Sequence, residues 1–557
     1  MAIKIPDHER NENPSEYADR LGKWYSATVS LAHRKTWGQY LTPLPVAEYM
    51  ARLFSIEGEV FSLLDPGAGS GVLTCAEAEN LATQTRKPSH LIVAAYETDP
   101  VLASLLKSSF AYLKDWLASH EINFEAQVIT DDFVVGHAEA LRDGLGDNKG
   151  LFQNEAWARS FDGVISNPPY FKISKTDRRS KAAATVIHGQ PNIYALFMAV
   201  SAAVLRPDGQ LVFITPRSYA AGPYFRLFRE RFFGKMKPEH VHVFTSRKDA
   251  FMRDDILQEN VIIKARREDK WPLEGRRGHI LISSSIGAED LHRSSNRRVR
   301  ADLVLDMSSK DKVLHLPTTA EEEAVMEMVR EWPGSLSAYG LEISTGPVVP
   351  FRSVRFLEKT GEAPGNHAPL LWMEHVSPMR IRWPIPGQRK PQYIKVKDAS
   401  LKLLVRNKNY VLIRRFSAKE EKRRLVAAPI LNGDLKSAWL GLENHLNYIH
   451  RPKGELTEEE AWGLAVLYNS SILDSYFRTM NGNTQVSATE LRSMPLPLRD
   501  GILELGVAAM AAKHPVEEID GMVAALLDKR SGAGIVGESV GGRDSLAEAF
   551  SEAATIG

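Results

Sequence analysis

One cysteine, Cys75, is all that 557 residues hold. That excludes an internal disulfide framework and any zinc site built from several thiolates. No apolar run is long enough to span a bilayer. The first residues, Met1-Ala2-Ile3-Lys4-Ile5-Pro6-Asp7-His8, carry no apolar signal core, so a cytoplasmic protein with no membrane association is expected. An excess of one charge is missing as well. The 70 Lys and Arg are met by 69 Asp and Glu, a formal net charge of +1, and the total gives no argument for a polyanionic partner. Such an argument has to come from uneven distribution along the chain. The length itself predicts several domains.

The first half carries short apolar runs, each ending in polar residues. Phe61 to Asp65 reads as a strand, followed by the glycine-rich turn Asp65-Pro66-Gly67-Ala68-Gly69-Ser70-Gly71 and a helix from Val72. Asp and Pro before the first Gly set this apart from the dinucleotide fingerprint, and no Gly-Lys-Ser/Thr follows to make a phosphate loop. An acidic residue at the strand end suits a cationic ligand. Leu91 to Tyr96 is a second strand, ending in Glu97-Thr98-Asp99-Pro100, where a carboxylate is placed to accept ribose hydroxyls. Glu125 to Thr130 is a third, ending in Asp131-Asp132-Phe133, with a helix over Val101 to Leu117 before it. Alternation of this kind predicts an α/β fold with a doubly wound, Rossmann-like sheet. The informative residues fall at the C-terminal strand ends, where such sheets bind ligands.

A fourth run, Phe161 to Ser166, ends in Asn167-Pro168-Pro169-Tyr170. The Asn oxygen and the first Pro carbonyl can both accept from one NH2 group. Neither Pro donates, and each fixes its own φ, so the loop is stiff before substrate arrives. Tyr170 offers a face for a planar substrate. The chemistry implied is the gripping of an exocyclic or amide NH2, and an ordinary Pro-rich turn is the bland reading of the same residues.

These elements together resemble the gamma-type S-adenosylmethionine-dependent N6-adenine DNA methyltransferases, of the TaqI-like and PstI/BsuBI-like kind found in restriction-modification systems. The resemblance is close over about the first 270 residues and looser beyond. It implies S-adenosyl-L-methionine as cofactor, with Tyr40, Thr42 and Pro43 of Gly38-Gln39-Tyr40-Leu41-Thr42-Pro43 on its methionine part. It further implies Asp65, Pro66, Gly67, Gly69 and Gly71 as the main cofactor loop, Glu97 on the ribose, and Asp132 and Phe133 on the cofactor adenine. Asn167, Pro168, Pro169 and Tyr170 match the catalytic motif, with Tyr170 and Phe251 as the pair that stacks on a flipped base; Phe244 is an alternative to Phe251. No metal is implied. Protein glutamine methyltransferases share the catalytic motif but lack the element around Thr42 and a large C-terminal domain. An RNA or protein-glutamine amide N-methyltransferase, and a modification subunit of a multisubunit system, are the remaining alternatives.

Lys172, Lys175, Arg178 and Arg179 follow the catalytic loop and are candidate contacts to DNA phosphates. Further on, short strands separated by Pro and Gly turns interleave basic and aromatic residues. From Thr345 to Asp500, 24 Lys and Arg stand against 15 Asp and Glu, so the rest of the chain is acidic. A solvated face explains such a run, and so does a phosphate-contacting one. The functional reading takes Arg380, Arg382, Arg414, Arg415 and Asn483 as DNA-binding. A helix is expected from Glu458 to Arg478, with Thr457 and Glu460 as its capping box, and another from Ile502 to Asp528. The domains predicted are a methyltransferase domain over 1–310, a connector over 311–335 and a mixed α+β target-recognition domain over 336–500. A helical segment over 501–530 and a flexible tail over 531–557 follow. The partners expected are double-stranded DNA and a cognate restriction endonuclease acting on the same site.

Overall fold

The computed structural model describes residues 5–56, 58–143, 161–187, 191–246, 259–271, 278–360, 366–418 and 420–532. The chain divides into two compact units, Met1–Thr318 and Thr319–Gly557. Phe251 and the predicted tail beyond residue 532 lie outside the described residues.

The first unit is built on one nine-stranded sheet. Its strands are β1 (Val60–Asp65), β2 (His90–Tyr96), β3 (Asn123–Ile129), β4 (Phe161–Ser166), β5 (Leu205–Pro216), β6 (Met236–Phe244), β7 (Asn260–Arg267), β8 (His279–Ser285) and β9 (Ser295–Arg300). The order is β3-β2-β1-β4-β5-β7-β6-β8-β9. The first five neighbours run parallel, β7 runs antiparallel to β5 and β6, and β9 antiparallel to β8. Every residue of β4 is buried, as a central strand covered on both faces requires. The helix Pro100–Ala118 starts at Asp99, whose carboxylate accepts from the Val101 and Leu102 amides, with Pro100 at the first helical position. Strand order reverses between β1 and β4, and the cleft at such a reversal, beyond the C-terminal strand ends, is where these sheets bind ligands.

The second unit is mixed α+β. A four-stranded antiparallel sheet comprises Glu342–Thr345, Leu446–His450, Tyr410–Arg414 and Ala427–Ile430, in that spatial order. A second sheet of five short strands includes His367–Leu371 and Trp439–Leu442. Leu412, Ala428, Leu440 and Leu446 meet in one core cluster. Helices Glu458–Asn469 and Arg499–Ala511 pack closely at Gly463 and Gly506. A Cβ on Gly463 would run into the Ile502 carbonyl, and one on Gly506 into the Glu459 carbonyl.

Two helices expected to be continuous are broken. Glu458–Asn469 ends at Ser470, which is extended and caps the next helix, Ser471–Met480, by accepting from the Leu473 amide. Ser residues compete with helix hydrogen bonds in this way. The C-terminal helical stretch likewise divides into Arg499–Ala511 and Ile519–Gly532, with His514-Pro515 between. Thr457 and Glu460 form their reciprocal capping box. No described helix is long and apolar enough to cross a membrane.

Candidate active site

The turn after β1 carries the cofactor-loop glycines. Gly69 and Gly71 have φ of +55° and +93°, and a Cβ on Gly71 would sit 2.8 Å from Leu106, so side chains are excluded by backbone and by space. Gly67 lies beside the catalytic loop: its Cβ position is 3.7 Å from the Asn167 carbonyl and 3.9 Å from Pro168 Cα. The two loops are therefore in contact, as adjacent strand ends require.

Two carboxylates border this turn. Asp65 is fully buried and accepts from Thr74 Oγ1 at 2.9 Å; burial pushes its carboxyl up to about 7. Glu97 is half-buried and accepts from the Gly69 amide at 3.0 Å and the Asp99 amide at 2.8 Å. Burial raises it as well, to about 7, against those hydrogen bonds. Each Glu97 oxygen keeps acceptor capacity beyond these bonds. A glycine-rich turn with two acidic groups beside it fits a ligand that brings a cation and hydroxyl donors, as S-adenosyl-L-methionine does.

The residues expected on the cofactor adenine are differently disposed. Asp132 caps the short helix Phe133–His137 by accepting from the Val135 amide at 3.0 Å. It also lies 3.5 Å from Arg178 and 3.9 Å from Arg179. Phe133 is 2% exposed, packed against Tyr96 and Phe197 with ring centroids 5.3 and 5.5 Å away. Its ring is enclosed between these neighbours.

The catalytic loop is clamped from the N-terminal side. Asn167 is buried, and its Nδ2 donates to the Tyr40 carbonyl at 2.7 Å and to Thr42 Oγ1 at 3.1 Å. Both amide hydrogens are thus spent within the protein, which fixes which way the oxygen points. Oδ1 accepts from the Tyr170 hydroxyl at 2.6 Å, and the same hydroxyl lies 3.1 Å from the Ile214 carbonyl. Pro168 is buried and Pro169 half-buried. Tyr170, expected to stack on a base, is 8% exposed, with Tyr40 at 5.6 Å and Tyr194 edge-on at 6.3 Å around its ring. Phe244, the alternative second stacking residue, is fully buried against His242.

Residues 38–42 join the two halves of the site. Gln39 Nε2 reaches Asp99 at 3.3 Å, and Tyr25 donates to Asp99 at 2.9 Å. Asp99 in turn adjoins Glu97, while Tyr40 and Thr42 hold Asn167 at the other end. Sequence reasoning missed Tyr25 and the roles of Gln39 and Asp99; the Asp-Pro helix start was the available signal for the last. Pro43 caps the helix Leu44–Ala51. Gly38 has a φ of +62°, and a Cβ there would sit 2.7 Å from Phe171 and 2.9 Å from the Tyr170 nitrogen. Gly38→Ala is expected to cost about 1–3 kcal/mol of local strain and to displace the catalytic loop. Turnover should fall more than tenfold in a steady-state assay while the protein stays folded by circular dichroism.

The basic residues after the loop divide. Lys172, Lys175 and Arg178 are exposed. Arg179 is committed within the protein: its guanidinium makes two bonds to Asp177, at 2.9 and 2.7 Å, and lies 5.5 Å from the Phe171 ring centre. Those bonds hold the Asp177 carboxyl down to about 2. In the second unit Arg380 and Arg382 are exposed. Arg414 and Arg415 are half-buried and donate to the Val376 and Asn444 carbonyls at 2.7 and 2.9 Å, so both brace backbone. Asn483 is exposed at the tip of its loop.

A family described as Eco57I restriction-modification methylase matches residues 80–251. The chain is 33% identical to the type II methyltransferase M.PstI of Providencia stuartii over 487 residues, covering 87% of this chain and 92% of that protein. It is 35% identical to the type II methyltransferase M.BsuBI of Bacillus subtilis over 481 residues, covering 86% and 90% respectively. Among solved structures, the type IIG restriction endonuclease BpuSI aligns with a TM-score of 0.40 at 13% identity, over 97% of this chain and 68% of that one.

Proposed function

The chain belongs to the type II methyltransferases of restriction-modification systems, and from that premise we propose that it methylates N6 of a flipped-out adenine in double-stranded DNA, using S-adenosyl-L-methionine. The observation that carries this reading is the held amide of Asn167, whose two N–H groups are bound by Tyr40 and Thr42. What remains to offer a substrate is acceptor oxygen, and the Pro168 carbonyl adds a second acceptor.

Adenine N6 is a poor nucleophile because its lone pair is delocalised into the ring. Two acceptors on its hydrogens favour a more tetrahedral nitrogen and stabilise the positive charge that develops there. The Tyr170 hydroxyl has one hydrogen and two acceptors in reach, so donating it to Ile214 frees Oδ1 for the substrate. The cofactor, when bound, supplies a methyl group on a sulfonium, so the transfer needs alignment rather than a protein nucleophile. Cys75 is buried in the helix Val72–Thr83, and burial pushes its thiol up, which keeps it unreactive. Flipping the base costs a few kcal/mol, which contacts in the pocket must offset.

The test is transfer of labelled methyl from S-adenosylmethionine to duplex DNA, followed by nucleoside analysis. Label in N6-methyladenine is the expected result. Label in N4-methylcytosine, or preferential labelling of RNA or protein in competition, sinks the proposal.

The carboxylates give a pH prediction. Asp65 and Glu97 are both raised to about 7 by burial, so lowering pH below 7 protonates them in the free protein. A cationic ligand carrying hydroxyl donors favours their ionised forms. Cofactor affinity should therefore strengthen severalfold from pH 6 to pH 8, with protons released on binding. Calorimetry in two buffers of different ionisation enthalpy checks this. Folding runs the other way: a raised carboxyl stabilises most below its unfolded value and loses that contribution as pH rises through 7.

A further inference from the structure

One end of the four-stranded sheet in the second unit gathers an unusual surface. After the strand Glu342–Thr345 the chain makes a short turn, Pro350–Ser353 followed by Val354–Phe356. Phe351 is 76% exposed and Val354 68% exposed. Arg352 lies over the Phe351 ring at 5.2 Å, and Arg355 over the Phe356 ring at 4.7 Å. Two large apolar side chains therefore project into solvent with two guanidinium groups beside them.

This turn is firmly held. Ser353 and Phe356 are buried, and Phe356 belongs to a core cluster with Leu370 and Ile394. The Gly346 amide donates to Leu446 at 2.9 Å, and Val348 exchanges bonds with Leu442 and Asn444 at 3.0 and 2.9 Å. An apolar residue on a mobile tip has many innocent explanations. Here two apolar residues three positions apart are exposed on an anchored turn and flanked by two arginines, which fits a contact surface.

The same sheet end carries the Asn483 loop. Asn444 accepts from Arg415, the Arg415 carbonyl accepts from the Val486 amide at 2.8 Å, and the Ser417 amide donates to the Thr484 carbonyl at 3.0 Å. The charge complementarity commits the surface to a polyanion, and its apolar centre commits it to one with a base stack to enter.

We propose that the turn from Pro350 to Phe356 is a wedge that enters double-stranded DNA, with Phe351 placed against an unstacked base step and Arg352 and Arg355 on the flanking phosphates. This rests on the reading of the protein as a DNA methyltransferase. It adds a contact that distorts the duplex, distinct from the residues that grip the target adenine. Apolar wedges of this kind part adjacent base pairs and let the protein follow a bent duplex.

The experiment uses the full chain and a duplex bearing the site first identified by sequencing DNA that the wild type has methylated. Binding is followed by fluorescence anisotropy over a salt series. Phe351→Ala is expected to weaken binding about tenfold or more with an unchanged salt slope, since stacking on an aromatic contributes about 1–3 kcal/mol per base. Phe351→Trp should restore it. Arg352→Ala and Arg355→Ala should each lower the salt slope by about one. Cofactor affinity should be unchanged in all four. Equal DNA affinity and equal methylation by Phe351→Ala overturn the wedge while leaving the methyltransferase reading intact. A wild type that methylates no DNA overturns that reading itself. Loss of self-association in Phe351→Ala, with DNA affinity intact, assigns the surface to a second copy of the chain and also overturns the wedge.

Discussion

Asn167→Ala is expected to slow methyl transfer about 10³-fold while leaving cofactor binding within about twofold of wild type. Removing one preorganised partner of a developing charge costs about 10²–10³-fold in turnover. Here the loss should be at the upper end, because the Asn167 oxygen is one of only two acceptors proposed for the amino group. Cofactor affinity is spared because the residues bordering the glycine turn, Asp65 and Glu97, are bonded to Thr74, Gly69 and Asp99 and not to the Asn167 side chain. Single-turnover assays with labelled cofactor, paired with calorimetric binding, check both halves. Asn167→Asp sharpens the test. Aspartate keeps an acceptor for the substrate but turns a second oxygen toward the Tyr40 carbonyl and Thr42 Oγ1, where the wild type donates at 2.7 and 3.1 Å. Its turnover should fall well below wild type even though the charge favours a cationic transition state. If Asn167→Asp retains wild-type turnover, orientation by Tyr40 and Thr42 is not what positions the oxygen.

The parts of this site that were legible in the sequence are those encoded locally. Strand ends show themselves by apolar runs that stop at Gly, Pro or acidic residues, and β1, β2, β3 and β4 were all readable that way. The Asp99-Pro100 helix start and the Thr457/Glu460 capping box are equally local. What could not be read is pairing across long stretches of chain. Nothing in Tyr40 or Thr42 announces that they hold an amide 125 residues or more away. Arg179 read as a phosphate contact because its charge is visible and its engagement by Asp177 is a matter of side-chain geometry. Arg414 and Arg415 pose the same difficulty: a guanidinium bracing a carbonyl has the same letter as one facing solvent. The breaks at Ser470 and near His514-Pro515 carried local signals, but strong apolar periodicity on both sides masked them. Phe351 had no signal, since exposure of one aromatic in a short turn leaves no periodic trace.

Arg424→Met is expected to cost about 2–4 kcal/mol of stability in the second unit, with loss of specific DNA binding and intact cofactor binding. Arg424 is fully buried, and its guanidinium is shared among several partners. Nε donates to Ser417 Oγ at 3.0 Å, and Nη2 reaches Asn481 Oδ1 at 3.3 Å and also the Asn483 carbonyl. The group lies 5.5 Å from the Phe477 ring centre. Asn481 is in turn fixed by donating to Glu490 at 2.6 Å and to the Gln485 carbonyl at 3.0 Å, while its Oδ1 accepts from the Asn483 amide at 2.8 Å. One buried cation thus shapes the whole turn from Asn481 to Gln485 and sets where Asn483 and Thr484 project. Met fills similar volume but meets none of these acceptors, so the turn loses its support as the core keeps its packing. Lysine keeps the charge without the planar fork that serves several acceptors at once, so Arg424→Lys should rescue stability only in part and recognition hardly at all. Asn483→Ala separates the two effects: its side chain is exposed, so melting should be unchanged while discrimination between cognate and non-cognate duplex narrows. Thermal melting alongside anisotropy on both duplexes reads all three variants. A stable Arg424→Met protein with wild-type discrimination shows that the loop holds its shape without the arginine, and that recognition does not depend on it.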